Sequence, residues 1–144
     1  LFGQNDNFDL RSSHVLPALI RKISYAKRKK LKKIILWGSG TPKREFLYVD
    51  DLSEAILFVI KKKFKDHIIN VGSGEEISIK NLAMLIAKKL NYKGKIIFDT
   101  SKPDGVKRRI VNSEKLFKRG WKPKFNLNLG IDQTIKFFNK HYGN

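Results

Sequence analysis

Residues 37–51 read WGSGTPKREFLYVDD, and this stretch decides the fold because it places an arginine between a glycine turn and an apolar run. Gly38 and Gly40 allow the backbone to turn tightly where a side chain would clash. Pro42 prevents an early helix because it lacks an amide donor. Arg44 follows on a short spacer, so the pattern predicts that the arginine lies at the same edge of the fold as the turn.

The second half of this stretch predicts a strand followed by a helix. Residues 46–49 form a short apolar run typical of a buried strand. Asp50 or Asp51 can accept hydrogen bonds from the free amides that open a helix over residues 52–63. Arg44 is therefore expected at the rim of a strand-to-helix unit, where its guanidinium can form a bidentate, charge-assisted pair with a diphosphate.

Hydrophobic periodicity along the rest of the chain predicts helices that alternate with short strands. Helices are expected at residues 14–29, 78–90, 113–118 and 127–141, strands at residues 34–36, 67–71 and 95–98, and a loop at residues 102–105. This alternation is typical of the α/β class. A chain of 144 residues, 41% of them hydrophobic, suffices for one modest core, so we expect a single domain over residues 1–144.

Composition excludes several kinds of site. The chain has no cysteine, so it can form neither a disulfide nor a thiolate metal site. Its three histidines are scattered without ligand spacing, and we expect no metal. The longest apolar run, residues 55–60, is much shorter than the ~18 residues that a membrane helix needs, and no signal pattern is visible. We therefore expect a cytoplasmic protein without a membrane partner.

The charge balance raises nucleic acid binding as an alternative function. Lys and Arg number 31 against 13 Asp and Glu, which gives a net charge of +18. Basic residues cluster at residues 21–33, 61–65 and 107–109, but aromatic residues do not interleave with them at stacking spacing. Lysine-rich helix ends that face water would give the same pattern. We expect salt-sensitive adhesion to polyanions and no specific nucleic acid partner.

Several segments resemble the extended short-chain dehydrogenase/reductase superfamily of nucleotide-sugar enzymes, and within it the GDP-L-fucose synthase family. Arg-Glu-Phe at residues 44–46 and Asn-Val-Gly-Ser-Gly at residues 70–74 are shared across the superfamily. The family-level segments are Asn5–Phe8, Ser12–Leu19, Trp37–Pro42, Asp99–Gly105 and Gly120–Trp121. Among these, the segment around His14 and the run Ser-Lys-Pro-Asp-Gly are the most specific. The resemblance runs from Leu1 to about Lys140.

The resemblance implies that the chain is the carboxyl-terminal, substrate-binding half of such an enzyme, with the Rossmann half missing. Residues 38–40 lack the third glycine and the helix of a dinucleotide fingerprint. The whole enzyme would convert GDP-4-keto-6-deoxy-D-mannose to GDP-L-fucose by epimerisation at C3 and C5 and NADPH-dependent reduction at C4. NADP(H) would be held mainly by the missing half, with contacts here from Leu1 and His14. A homodimer is expected of the full-length family member, and the chain alone is expected to be inactive.

The resemblance also assigns roles to individual side chains. His14 would be the acid that reprotonates the sugar, since an imidazole can donate a proton in one step and recover it in another. The remaining predicted substrate-binding residues are Lys22, Trp37, Arg44, Lys102 and Asp104. Trp37 would contact the guanosine, and Arg44 the diphosphate. Lys102 would offset phosphate charge, while the Asp104 carboxylate would accept from ribose hydroxyls.

Each of these residues also has an ordinary structural explanation, and the function has alternatives. A lone histidine at a helix start is often a capping residue, and a lone tryptophan often packs in a core. Lys22 could be a solvated lysine, and residues 103–105 could form an ordinary turn. Besides a synthase fragment, the chain could be a non-catalytic nucleotide-sugar-binding fragment or, as a third reading, a basic nucleic-acid-binding module.

Overall fold

A computed structural model describes residues 1–143, so the last residue of the predicted domain lies outside the described residues. The chain contains five helices and five strands within that range, and the predicted α/β class is confirmed. In chain order the elements are α1 (Val15–Arg28), β1 (Lys33–Trp37), β2 (Lys43–Glu45), α2 (Val49–Lys61), β3 (Glu76–Ser78), α3 (Ile79–Lys89), β4 (Lys95–Asp99), β5 (Arg108–Arg109), α4 (Glu114–Lys118) and α5 (Leu127–Tyr142).

The strands form two small sheets. β1 and β4 are parallel, with Leu36 opposite Phe98 and Trp37 opposite Asp99. β2 is the central strand of the second sheet, antiparallel to β3 and parallel to β5. The carboxyl end of β1 leads through the glycine turn directly into β2, so the two sheets meet at residues 38–42.

The main core lies between α1, α3 and α5. In α1, Leu16, Leu19, Ile20 and Ile23 recur at helical spacing and are all buried. α3 contributes a similar stripe and is capped by Ser78, whose side chain accepts a hydrogen bond from the amide of Asn81. A smaller core contains Leu47, Ala55, Leu116 and Trp121.

The predicted strand at residues 46–49 is wrong, because the run finds almost no partner. Among residues 1–143 only Phe2 pairs with it, through a single parallel bridge to Tyr48. The Phe2 amide donates to the Leu47 carbonyl at 3.1 Å, and the Val49 amide donates to the Phe2 carbonyl at 2.9 Å. Leu47 enters the smaller core and Tyr48 the main core, so the extended run joins the two cores.

The predicted cap of the following helix is also wrong. The helix begins at Val49, and its N-cap is Tyr48, whose side chain makes no capping bond. Asp50 is exposed in the first turn. Asp51 is 1% exposed and accepts from the amides of Lys124 at 2.7 Å and Phe125 at 3.1 Å. The carboxylate therefore satisfies two donors of a distant segment instead of the amides of its own helix.

The predicted strand at residues 67–71 is not formed either. Ile68 is 80% exposed, and no strand of the described chain pairs with this segment. Two strands that periodicity did not predict, β3 and β5, flank β2 instead. They are only three and two residues long and contain one apolar residue, Ile77, so their pairing comes from contacts with β2 and not from their own apolar pattern.

We predict that Asp51→Asn lowers the free energy of unfolding by about 1.5–3 kcal/mol, the range for losing a hydrogen bond to a buried charged group. The amide side chain would present an N–H group to one of the two backbone donors. Urea denaturation of this chain measures the change. Asp50→Asn is the matched control, since it makes the same replacement at an exposed neighbour. Equal denaturation midpoints for the two variants would contradict the assignment.

Candidate functional site

The glycine turn that follows β1 brings the backbone close to two side chains. Gly38 has φ +80° and Gly40 has φ +74°, which other residues rarely adopt. A Cβ at Gly38 would lie 2.3 Å from Oδ1 of Asp104, and one at Gly40 would lie 2.5 Å from the Phe98 ring. Both glycines are therefore required by conformation and by space.

Residues 100–112, here named the strap, cross the surface beside this turn, and every residue of the strap is exposed. Near its start, Asp104 accepts from the amide of Ser39 at 2.8 Å and from the Ser39 hydroxyl at 2.6 Å. These two hydrogen bonds hold the pKa of the Asp104 carboxyl below its usual value. Further along, β5 pairs with β2. The strap is thus attached to the glycine turn and to the second sheet.

A cavity of about 210 Å³ opens between the turn, the strap and α1, and three of the predicted substrate residues line it. These are Trp37, Arg44 and Asp104. Trp37 is 73% exposed, so its indole is available for stacking, and the alternative explanation that it packs in a core is excluded. Lys102 lies beside the cavity, with its ammonium 5.9 Å from the centre of the Trp37 ring.

Arg44 lies on the central strand β2 and keeps an uncompensated charge. Its Nη1 donates to the Lys43 carbonyl at 2.7 Å, and none of the ion pairs found in residues 1–143 includes it. The neighbouring carboxylate of Glu45 instead accepts from the amides of Gly74 at 2.7 Å and Val111 at 3.0 Å. A half-buried guanidinium without an acidic partner is suited to an anionic ligand.

His14 and Leu1 line a second cavity of about 390 Å³. His14 is the N-cap of α1, is exposed and makes no side-chain capping bond, so its imidazole is available to a ligand. The next residue, Val15, lines the first cavity. The first turn of α1 therefore separates the two cavities and borders both.

Lys22 lies two turns further along α1 and is half-buried. Within the described residues it lines neither of the two cavities. Its predicted contact with substrate stays a prediction.

Sequence reasoning missed three polar residues at these sites. Ser39 and Glu45 hold the strap, but their partners lie 65 and 66 residues away, and no local spacing signals such bonds. Asp6 lines the cavity of His14, and its Oδ2 is buried without a hydrogen-bond partner. The family-level segment at residues 5–8 includes Asp6, but it did not indicate a function for this residue.

A cluster of lysines lies away from both cavities. A groove of about 450 Å³ at the amino ends of β1 and β4 is lined by five lysines, namely Lys27, Lys30, Lys32, Lys93 and Lys95. The carboxyl ends of α1 and α3 meet at this groove. Lysines there complement the negative ends of the helix dipoles, which explains their position without a nucleic acid.

Two further findings concern the described part of the chain. No group of acidic or histidine side chains in residues 1–143 could hold a metal ion. None of the five helices is long and apolar enough to span a membrane.

Comparison with known proteins places these sites in a family context. A model described as the NAD dependent epimerase/dehydratase family matches residues 1–72. A GDP-L-fucose synthase of Sinorhizobium fredii is 50% identical over 138 residues, which cover 96% of this chain and 44% of that protein. The GDP-L-fucose synthase of Escherichia coli is 39% identical over 147 residues, with 96% of this chain and 46% of that protein covered.

The fold gives the same result. The crystal structure of a GDP-L-fucose synthetase from Naegleria fowleri superimposes with a TM-score of 0.87 at 28% identity, covering 99% of this chain and 44% of that one. The chain thus spans somewhat less than half the length of these relatives. Since the family model matches half of its residues, the chain belongs to the NAD dependent epimerase/dehydratase family.

Proposed function

We propose that this chain forms the GDP-sugar-binding part of a GDP-L-fucose synthase. The observation that carries the proposal is the cavity beside the glycine turn, where Arg44 has no acidic partner among the described residues and Trp37 is exposed. The similarity to GDP-L-fucose synthases over 96% of this chain supports the same reading.

Each lining residue suits one part of a GDP-sugar. The Arg44 guanidinium offers a planar pair of donors for the diphosphate, and Lys102 adds a second positive charge nearby. The exposed Trp37 indole offers a flat apolar face to a guanine base. Each oxygen of Asp104 has a free lone pair left after its bond from Ser39, so this carboxylate can accept from the ribose hydroxyls.

The reaction we propose for the whole enzyme epimerises GDP-4-keto-6-deoxy-D-mannose at C3 and C5 and reduces C4 with NADPH. His14 is the residue of this chain that would return protons to the sugar carbons. Its position supports this role, because it borders the second cavity one residue before Val15 enters the first. A sugar bound at Arg44 would extend past the first turn of α1 towards His14.

The second cavity fits only part of a dinucleotide cofactor. No lysine or arginine lines it within residues 1–143, so the cofactor phosphates need cations from elsewhere. The Asp6 oxygen without a partner can accept from an N–H or O–H group. When bound, NADPH would supply the hydride for the C4 carbon. The residues of this chain, Leu1 and His14 among them, would contact its uncharged portion and shield it from water.

Two further parts of the proposal concern the whole protein. We place the activity in the cytoplasm, in line with a composition without cysteine. We also propose that the whole enzyme is a homodimer, as the family resemblance implies.

We predict that Arg44→Ala weakens GDP binding to this chain by about 1.5–3 kcal/mol, because a charge-assisted hydrogen bond is lost. Arg44→Lys should recover only part of the loss, since the planar fork is absent. Calorimetric titration with GDP measures both. Arg119→Ala is the control, because Arg119 stacks over Phe64 and lines neither cavity among the described residues. A lowered melting temperature with unchanged GDP affinity would show that Arg44 is structural.

We predict that His14→Gln abolishes proton exchange at C3 and C5 of the sugar while leaving GDP affinity unchanged. The test joins this chain to the amino-terminal portion of the Sinorhizobium fredii synthase and follows deuterium incorporation from solvent by mass spectrometry. His141→Gln is the control, since His141 bonds to the Phe137 carbonyl in α5. Exchange at the unmodified rate in the His14 variant would exclude this residue as the acid.

A further inference from the structure

The hydroxyl of Ser39 makes every hydrogen bond that a serine hydroxyl can make. It donates to Oδ2 of Asp104 at 2.6 Å and accepts from the amide of Thr41 at 3.1 Å. Its third contact is to the Thr41 hydroxyl at 2.7 Å. Since the single Ser39 proton goes to Asp104, the Thr41 hydroxyl must be the donor in this contact. The chain of donors therefore runs from Thr41 to Ser39 to Asp104.

Asp104, the final acceptor in this series of hydrogen bonds, lines the same cavity as the Arg44 guanidinium. Arg44 and Asp104 both face the 210 Å³ cavity, yet they form no ion pair in the described residues. The strap comes near the guanidinium at Gly105, where a Cβ would lie 3.2 Å from Nη2 of Arg44. Asp104 is the adjacent residue of the strap, so a turn of its side chain is the obvious way to neutralise the arginine.

We infer that Ser39 is a positioning residue of the nucleotide-sugar site, whose hydroxyl holds Asp104 on the glycine turn and so keeps the Arg44 guanidinium free for an anion. The inference rests on the proposed function for its ligand but not for its geometry. Ser39 does not line the cavity, so it acts through Asp104. Without the hydroxyl, only the Ser39 amide still holds the carboxylate, so an ion pair with Arg44 can compete for it.

The first test needs no ligand. In Ser39→Ala, we expect the carboxylate to turn to Arg44, so the Arg44 Nε–H resonance should move as Asp104 titrates. A carboxyl paired with a guanidinium has a lowered pKa, so the titration in the variant belongs below the usual carboxyl range, and acid should release the carboxylate from Arg44. The unaltered chain should show no such movement. Ser101→Ala is the matched control, because that hydroxyl belongs to the same strap and bonds to Asp99 instead.

The second test uses pyrophosphate, which has no ribose that could contact Asp104 directly. Ser39→Ala should weaken pyrophosphate binding roughly tenfold or more, as expected when a charged donor is neutralised. Adding Asp104→Asn to that variant should restore most of the affinity, because the competing negative charge is gone. If Ser39 were merely structural, the double variant would bind pyrophosphate no better than Ser39→Ala, because removing the second partner of a contact does not undo the loss of the first.

The outcomes separate the inference from the proposed function. An Arg44 resonance that behaves alike in the unaltered chain and Ser39→Ala would overturn the inference, as would a double variant that binds pyrophosphate no better than Ser39→Ala. Failure of the unaltered chain to bind GDP would overturn the proposed function alone, because the Arg44 resonance still reports where Asp104 lies.

Discussion

The carboxylate of Glu45 connects the parts of the molecule on which the site depends. It accepts from the amides of Gly74 and Val111, which lie 29 and 66 residues further along the chain. A Cβ at Gly72 would lie 2.5 Å from Oε1, so a larger residue there would displace this carboxylate. Glu45 thereby fixes both neighbours of β2, and the adjacent Arg44 has no acidic partner within residues 1–143. The segments Arg-Glu-Phe at residues 44–46 and Asn-Val-Gly-Ser-Gly at residues 70–74 are therefore in direct contact through the Glu45 carboxylate.

Local patterns predicted most of the helices and both strands of the first sheet, β1 and β4, but they failed for the strands of the second sheet. The bounds of α1, α3 and α5 lie within a residue or two of the predictions, because an apolar stripe at helical spacing is a property of the segment itself. A strand exists only where another strand meets it. Residues 46–49 have the composition of a strand but meet only Phe2, whereas the polar residues of β5 pair because the strap brings them to β2. Such pairings are not contained in either segment alone.

In the candidate site, too, local motifs predicted some residues, while those that depend on distant contacts were missed. Trp37, Arg44 and Asp104 were predicted from motifs, and they line one cavity, with Lys102 beside Trp37. Leu1 and His14 were predicted together and share the second cavity. The side chains that hold these residues in place, Ser39 and Glu45, escaped prediction because their hydrogen bonds cross more than sixty residues of sequence. Motifs therefore predicted residues that line the cavities, while the side chains that support them are visible only in the folded arrangement.

The exposure of the strap has a consequence for how the molecule can be damaged. Proteases cut exposed, weakly packed segments first, and the strap carries Lys107, Arg108 and Arg109 at its middle, which are targets for trypsin-like enzymes. A cut there would separate the part held by Ser39 from the part held by Glu45, while the packing of α1, α3 and α5 would stay intact. The 210 Å³ cavity would then lose a wall in a molecule that still gives the circular dichroism of a folded protein.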